Sequence, residues 1–490
     1  MISEQHAREM PGYRANLGCA MRLAFRAIRL LASIVLVAVS LLVTSVPAGA
    51  QPYPVPPTWG GDFSTRPRLT GDWGGVRDEL GAKGVVIDLD LTVTPMDVLS
   101  GGKSTGGNTW GNADYTLNLD TQKLGLWPGG FLNVAVDTSF GTALNNSGTI
   151  APVNTAFLIP APNERTTALM GATYMQFLSE KFGLFLGKID TLTSGHLEFY
   201  GDYQTQFVNA AFSFPLTAAF VPISAFGGGV IALPTKNINL SLVALSSDGT
   251  PTNNDLGDAF SKGAMVVGAG AVTVDPFGLV GHQNLSVMWS SQDRLSLEQD
   301  PRNLALLLLQ ARYPKLGDPG AVLAPILEKF FPNLGPPSSP GHEASSWAAG
   351  YGFDQYLWQP AGDPQHGIGV FFSANASDGN PNPIKYSFLA GLGGKGVGLS
   401  RPNDDFGVAV ERTQFSSAFI PLLRERLDLG LEHEDAFEAY YNFAVTGWLS
   451  ATADLQIVNS GLNKTLNASG TGLMNIDTDV IVGLRLRARF

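Results

Sequence analysis

The sequence predicts an all-β fold: a sixteen-stranded antiparallel transmembrane β-barrel, with a short periplasmic helix before its first strand and a helical insert in one extracellular loop. Three observations predict it. Strand-length segments with a two-residue hydrophobic period recur from residue 84 to the end of the chain, and successive strand side chains point to opposite faces. The connections alternate between short and long, the asymmetry of a barrel with tight turns inside and long loops outside. The polar rows carry charges, which a dry sandwich core would leave unsolvated and a water-filled lumen would not.

The elements follow in chain order. Arg22, Arg26 and Arg29 precede the apolar run "LLASIVLVAVSLLV", which ends at "SVPAGA". That is the basic, apolar and small-residue succession of a secretory signal peptide over residues 1–50. An amino-terminal membrane anchor is the alternative, disfavoured because the run is near the lower limit for a span. Either Met1 or Met21 can be the initiator. The single cysteine, Cys19, lies in this segment, so an exported chain would be stabilised by backbone pairing and burial rather than by disulfides. The first fifty residues carry five basic and two acidic side chains, leaving 26 basic against 40 acidic and a net charge of −14. Nucleic acid is excluded as a partner, because it demands clustered positive charge.

Residues 51–83 read as a periplasmic segment in which "LTGDWGGVRDEL" starts a short helix, and 84–490 as the barrel. In "VVIDLDLTVT", Ile87, Leu89, Leu91 and Val93 oppose Asp88, Asp90, Thr92 and Thr94; "ADYTLNLDTQ" and "FLNVAVDTS" repeat the pattern. Sixteen such segments fall near 84–98, 111–123, 129–140, 168–180, 182–190, 223–234, 236–247, 263–275, 281–297, 344–359, 365–377, 383–393, 404–416, 433–445, 447–459 and 475–490. With the last strand ending inside, every long connection (141–167, 191–222, 248–262, 298–343, 416–432, 460–474) emerges outside. The stretch at about 302–331 reads as two helical pieces broken by Pro314 and Pro319. In hydrocarbon an unpaired amide costs several kcal/mol, so a sheet exposed to lipid must close on itself.

Three stretches carry a family resemblance: "LTGDWGGVRDELGAKGV" at 69–85, "DGNPNPIKYSFLAGLGGKG" at 378–396 followed by "RPNDDFGVAV", and the ending "AYYNFAVTGWLSATADLQIVNSG…VIVGLRLRARF", with "FGLFLGKIDT" at 182–191 between them. They resemble the carbohydrate-selective porins, the OprB-like family of bacterial outer membranes. The resemblance implies passive diffusion of small sugars through a narrowed, charged channel, without cofactor, metal or covalent chemistry. It also implies outer-membrane lipid as a partner and recognition of Phe490 by the barrel-assembly machinery. The 302–331 insert has no counterpart in it, which leaves pore size and the particular sugar open; monomer and homo-oligomer are both admissible.

A sugar passage needs carboxylates, amides and arginines that pair with hydroxyls in forked geometry, and aromatic rings for pyranose faces. At the top of strand five stand Lys188 and Asp190. With Glu198 and Asp202 in the loop after it they are the constriction candidates, and Phe199, Tyr200 and Tyr203 of that loop offer ring contact. On the wall, Glu438, Asn442, Asp454, Gln456, Arg485 and Arg487 should face water, either touching solute or pairing across strands. Glu411 and Arg412 must point opposite ways, and the alternation leaves open which enters the lumen; Glu411 is favoured, because its row (Gly407, Ala409, Thr413) leaves room. "GLGGKG" at 391–396 fits G-x-G-x-x-G but reads on into a turn, which argues against a dinucleotide site; the five histidines beyond residue 50 are scattered with no H-E-x-x-H pair, so a zinc protease is unsupported. The competing functions are a general, organic-acid or polyol pore, and less readily a barrel enzyme or adhesin.

Overall fold

The computed structural model describes residues 53, 55–192, 197–253, 256–299, 341–397, 401–419, 424, 428–466 and 472–490. The expected signal peptide and the helical insert at about 302–331 lie outside the described residues.

Sixteen antiparallel strands close on themselves. They are β1 (Val85–Gly102), β2 (Gly106–Asp120), β3 (Gly130–Gly141), β4 (Thr167–Ser179), β5 (Phe182–Asp190), β6 (Ser224–Thr235), β7 (Ile238–Ser246), β8 (Ala264–Val274), β9 (Gly281–Ser290), β10 (Ser346–Trp358), β11 (Gly367–Ser377), β12 (Ile384–Lys395), β13 (Asp405–Phe415), β14 (His433–Ala444), β15 (Leu449–Asn459) and β16 (Asp477–Arg489). Each predicted strand is present. The largest departure from the sequence pattern is at β9, which stops at Ser290, while Arg294–Leu295 leaves the barrel to pair with His342–Glu343. The barrel closes where β1 meets β16, from Asp90 opposite Arg489 to Gly102 opposite Asp477. A bulge shifts the register there, and Gly101 takes a φ of 77° with its Cα against the Thr478 carbonyl, a place no Cβ fits.

The two-residue period resolves into an outer and an inner face. Val408 and Val410 on β13, Leu455 and Ile457 on β15, and Leu484 and Leu486 on β16 are exposed on the outside. Glu411, Glu438, Asp454, Gln456 and Arg485 occupy the inner rows of the same strands and are buried. Trp289 and Trp347 face each other across β9 and β10 near the long-loop rim, while Trp127 and Trp358 stand at the short-turn rim, the paired aromatic girdles of a lipid-embedded wall. No helix among the described residues is long and apolar enough to cross a membrane; the strands do so.

The helix before the barrel, α1 (Val76–Ala82), begins with Asp78 and Glu79 in its first turn, where acidic side chains oppose the helix dipole favourably. Its Arg77 is 2% exposed, and the guanidinium lies between the rings of Trp59 and Trp73, 5.3 and 4.9 Å from their centroids. The same guanidinium donates to Asp88 (2.7 Å), the Ile87 carbonyl (2.7 Å) and the Phe490 carbonyl (3.0 Å). Leu69 N donates to the Arg489 carbonyl at 2.7 Å, and Trp448 donates to the Phe63 carbonyl at 2.7 Å. Residues 58–82 thus straddle the β1–β16 seam and clasp both of its strands.

Removing one partner of a buried ion pair costs about 3–5 kcal/mol. Arg77→Ala is therefore expected to lower barrel stability by about that amount, measured as a lower temperature at which the folded band is lost in SDS gels. Trp448→Phe, which loses one hydrogen bond and keeps the ring, should shift it much less.

Candidate functional site

The lumen is not an open cylinder. Residues 142–166 and 197–223, from two long connections, fold inward, and their main-chain groups meet the polar rows of the wall. Each contains a turn of the form Val-Asn-x-Ala-Phe: Val153–Phe157 and Val208–Phe212. In both, the asparagine caps a single helical turn, Asn154 accepting from Ala156 N and Asn209 from Ala211 N, each at 2.9 Å. The two turns also bind one another, Thr155 N to the Val208 carbonyl (2.8 Å) and Ala210 N to the Pro152 carbonyl (2.9 Å). Sequence reasoning missed this repeat, although the two five-residue strings could have announced it.

The wall holds both turns through side chains at 0–5% exposure. Glu438 accepts from Val208 N and from Asn209 N (3.2 Å). Gln456 bridges the turns, accepting from Asn209 Nδ2 (3.1 Å) and donating to the Val153 carbonyl (2.9 Å). Its Nε2 also reaches Asp454 at 2.8 Å. Arg485 donates to the carbonyls of Tyr203 and Gln206, both at 2.6 Å, and to Thr452. Asn442 accepts from Thr452 at 2.9 Å. Glu434 accepts from Ile150 N and Ala151 N (2.7 and 2.9 Å). Residues 197–209 therefore form a crossbar, reaching from β10 and β12 at Glu198, past β2 at Asp114 (Gln204 Nε2, 3.2 Å), to β14–β16.

Aromatic packing fixes the crossbar's height. Phe207 stacks on Phe212 at 5.2 Å and meets Tyr440 and Phe371 edge-on; Tyr200 stacks on Phe371 at 5.0 Å; Phe199 meets Tyr356 at 4.9 Å. The seat for Phe199 is a pair of glycines in register, Gly369 and Gly393, where any Cβ would overlap the ring. The glycines of "GLGGKG" thus serve packing rather than a phosphate. Burial pushes the Tyr200 and Tyr203 hydroxyls up, well out of the titrating range.

The remaining expected site residues fall as follows. Lys188 is buried, its ammonium donating to the carbonyls of Thr250 (2.9 Å), Pro251 (3.1 Å) and Asn253, so it ties β5 to the next long loop. Asp190 caps the start of the inward loop at Leu192 N (3.0 Å), and Asp202 does the same for Gln204 N (2.8 Å). Glu411 lies inside, accepting from Thr413 at 2.7 Å, while Arg412 lies outside in a forked pair with Asp435 (2.6 and 2.7 Å). Arg487 pairs with Asp90 across the seam. Glu198 is different: its side chain stays 24% exposed, between Lys395 Nζ and Tyr356 OH, both at 2.9 Å. Lys395, Asp354 and Tyr356 were not singled out from sequence. Lys395 lay just beyond the predicted end of its strand.

Such a partition can sieve solutes and offer weak polar contacts; it has the features of a passage. The sequence profile described as the carbohydrate-selective porin, OprB family, matches residues 104–490. Among solved structures, the high-pH form of Pseudomonas putida OprB is similar at a TM-score of 0.69 and 22% identity, over 88% of this chain and 100% of that one. The low-pH form is similar at 0.51 and 17%, over 87% and 99%. At these identities the likeness to both structures shows the fold. No curated protein sequence matches.

Gln456→Leu keeps the volume but leaves the Val153 carbonyl and the Asn209 amide without their partner, at about 1–3 kcal/mol for each. The crossbar should loosen. Single-channel recordings are expected to show higher and noisier conductance than wild type, with the barrel still folded by SDS-gel shift.

Proposed function

The chain belongs to the OprB family of carbohydrate-selective porins, and from that premise we propose that small neutral sugars cross this outer-membrane barrel by passing the crossbar at its water-reached end. The observation that carries the reading is the division among the lumen's polar groups. Glu438, Gln456 and Arg485 are sealed behind the inward loops, whereas Glu198 and Lys395 remain open to water. Transport without energy coupling needs weak, exchangeable contacts, firm enough to draw solute in and loose enough to release it. A Kd near 1 mM corresponds to only about −4 kcal/mol, which two or three net hydrogen bonds to charged groups supply at about 1.5–3 kcal/mol each. A passage of this kind needs few solute contacts. Glu198 with Asp202, Asp190 and the Arg487–Asp90 pair are the groups we assign to them, and Tyr200 to the packing that holds them in place.

On the same reading the chain is exported by its amino-terminal signal, and Phe490 serves the barrel-assembly machinery as its recognition element.

The test is liposome swelling with purified protein. Glucose or sucrose should enter faster than amino acids of similar size. Equal rates would support a general, organic-acid or polyol pore instead, and no entry of any solute would overturn the channel reading.

A further inference from the structure

We infer that Lys395 is a specificity-determining residue of the passage: paired with Glu198, it offsets carboxylate charge at this water-reached point and sets how acidic and basic sugars pass relative to uncharged ones. The inference rests on the sugar-passage reading and adds to it a residue and a rule of selection.

Lys395 ends the inner row of β12, in register between Gly367 and Asp405. Glycines at 367 and 393 leave no side chain on one flank, so the ammonium reaches across to the crossbar rather than lying along the wall. There it meets Glu198 Oε1 at 2.9 Å. Glu198 itself cannot drift. Its amide donates to Asp354 Oδ2 at 2.6 Å, its carbonyl accepts from Gln206 Nε2 at 2.9 Å, and its carboxylate accepts from Tyr356. Asp354 is in turn held by His282 Nδ1 at 2.7 Å. A carboxylate fixed in this way beside the Lys395 ammonium offers an acceptor and a donor side by side, the complement of neighbouring hydroxyls on a sugar.

Exposure decides that solute meets this pair. Lys395 and Glu198 are 29% and 24% exposed, against 3% for Arg485. A partly exposed ion pair is worth little by itself, so hydroxyls can displace its members from one another and leave again. Charge decides the selection. Around Lys395 stand three carboxylates, Glu198, Asp354 and Asp405. Removing the lysine makes the point more acidic, and removing Glu198 makes it less so.

The experiment compares wild type with Lys395→Met, Glu198→Gln and the charge-keeping Lys395→Arg, each confirmed folded by SDS-gel shift. Vesicle swelling with glucose, gluconate and glucosamine is read together with the reversal potential in a KCl gradient across planar bilayers. Lys395→Met should lower the gluconate-to-glucose ratio about fivefold, the Coulombic weight of one unit charge at about 4 Å in water, and move the reversal potential toward cations. Glu198→Gln should move both the other way, and Lys395→Arg should keep wild-type values. Unchanged ratios and potentials in Lys395→Met, with wild type still preferring sugars to amino acids, would overturn the role of Lys395 alone. A wild type without that preference would overturn the sugar reading and this inference together.

Discussion

A backbone amide that has left water must find a partner, and both walls of this molecule are arranged around that requirement. On the lipid side it forces sixteen strands to pair all the way round, because an open edge in hydrocarbon would leave a row of amides unmatched. On the lumen side it works through two loops. Residues 142–166 and 197–223 bring their own amides and carbonyls into the barrel, and the inward carboxylates, amides and arginine of β14–β16 answer them. The wall's charged rows therefore have two uses. Most hold the partition that narrows the lumen, and a few stay in water.

That division follows from energetics. Charged groups sealed from water are tolerable only when hydrogen-bonded, and Glu438 and Arg485 meet that condition by taking loop main-chain groups as partners. Once committed they make poor solute ligands, since a sugar hydroxyl would have to displace a bond it could not better. Glu198 and Lys395 sit in a shallower, wetter place, where exchanging one partner for another changes little.

Small and aromatic residues fix the partition's position. Paired Gly369 and Gly393 make a flat seat for Phe199, and Gly407 lets Phe207 approach Tyr440. At the other rim the segment carrying Arg77 touches β1 and β16 together, so its docking presupposes that the seam has closed. Interior partition and exterior clasp both depend on a completed barrel, which ties the passage's geometry to closure.

The sequence by itself determined the strands, their number and the facing of each row. Alternation is a local property of extended backbone, so that Glu411 and Arg412 point opposite ways could be read from their neighbours, while the small residues of the Glu411 row only favoured which of them faces in. It also offered the constriction loop, through the crowding of Glu198, Tyr200 and Asp202. What it could not decide is which inward side chains remain free. Glu438 meets Val208 across 230 positions and Gln456 meets Val153 across 303, and no local pattern encodes such pairings. Nor could it single out Lys395, whose part depends on a loop from the opposite side of the barrel arriving within reach. Whether a polar group serves the fold or the solute is settled by what covers it, and only the tertiary structure brings the cover.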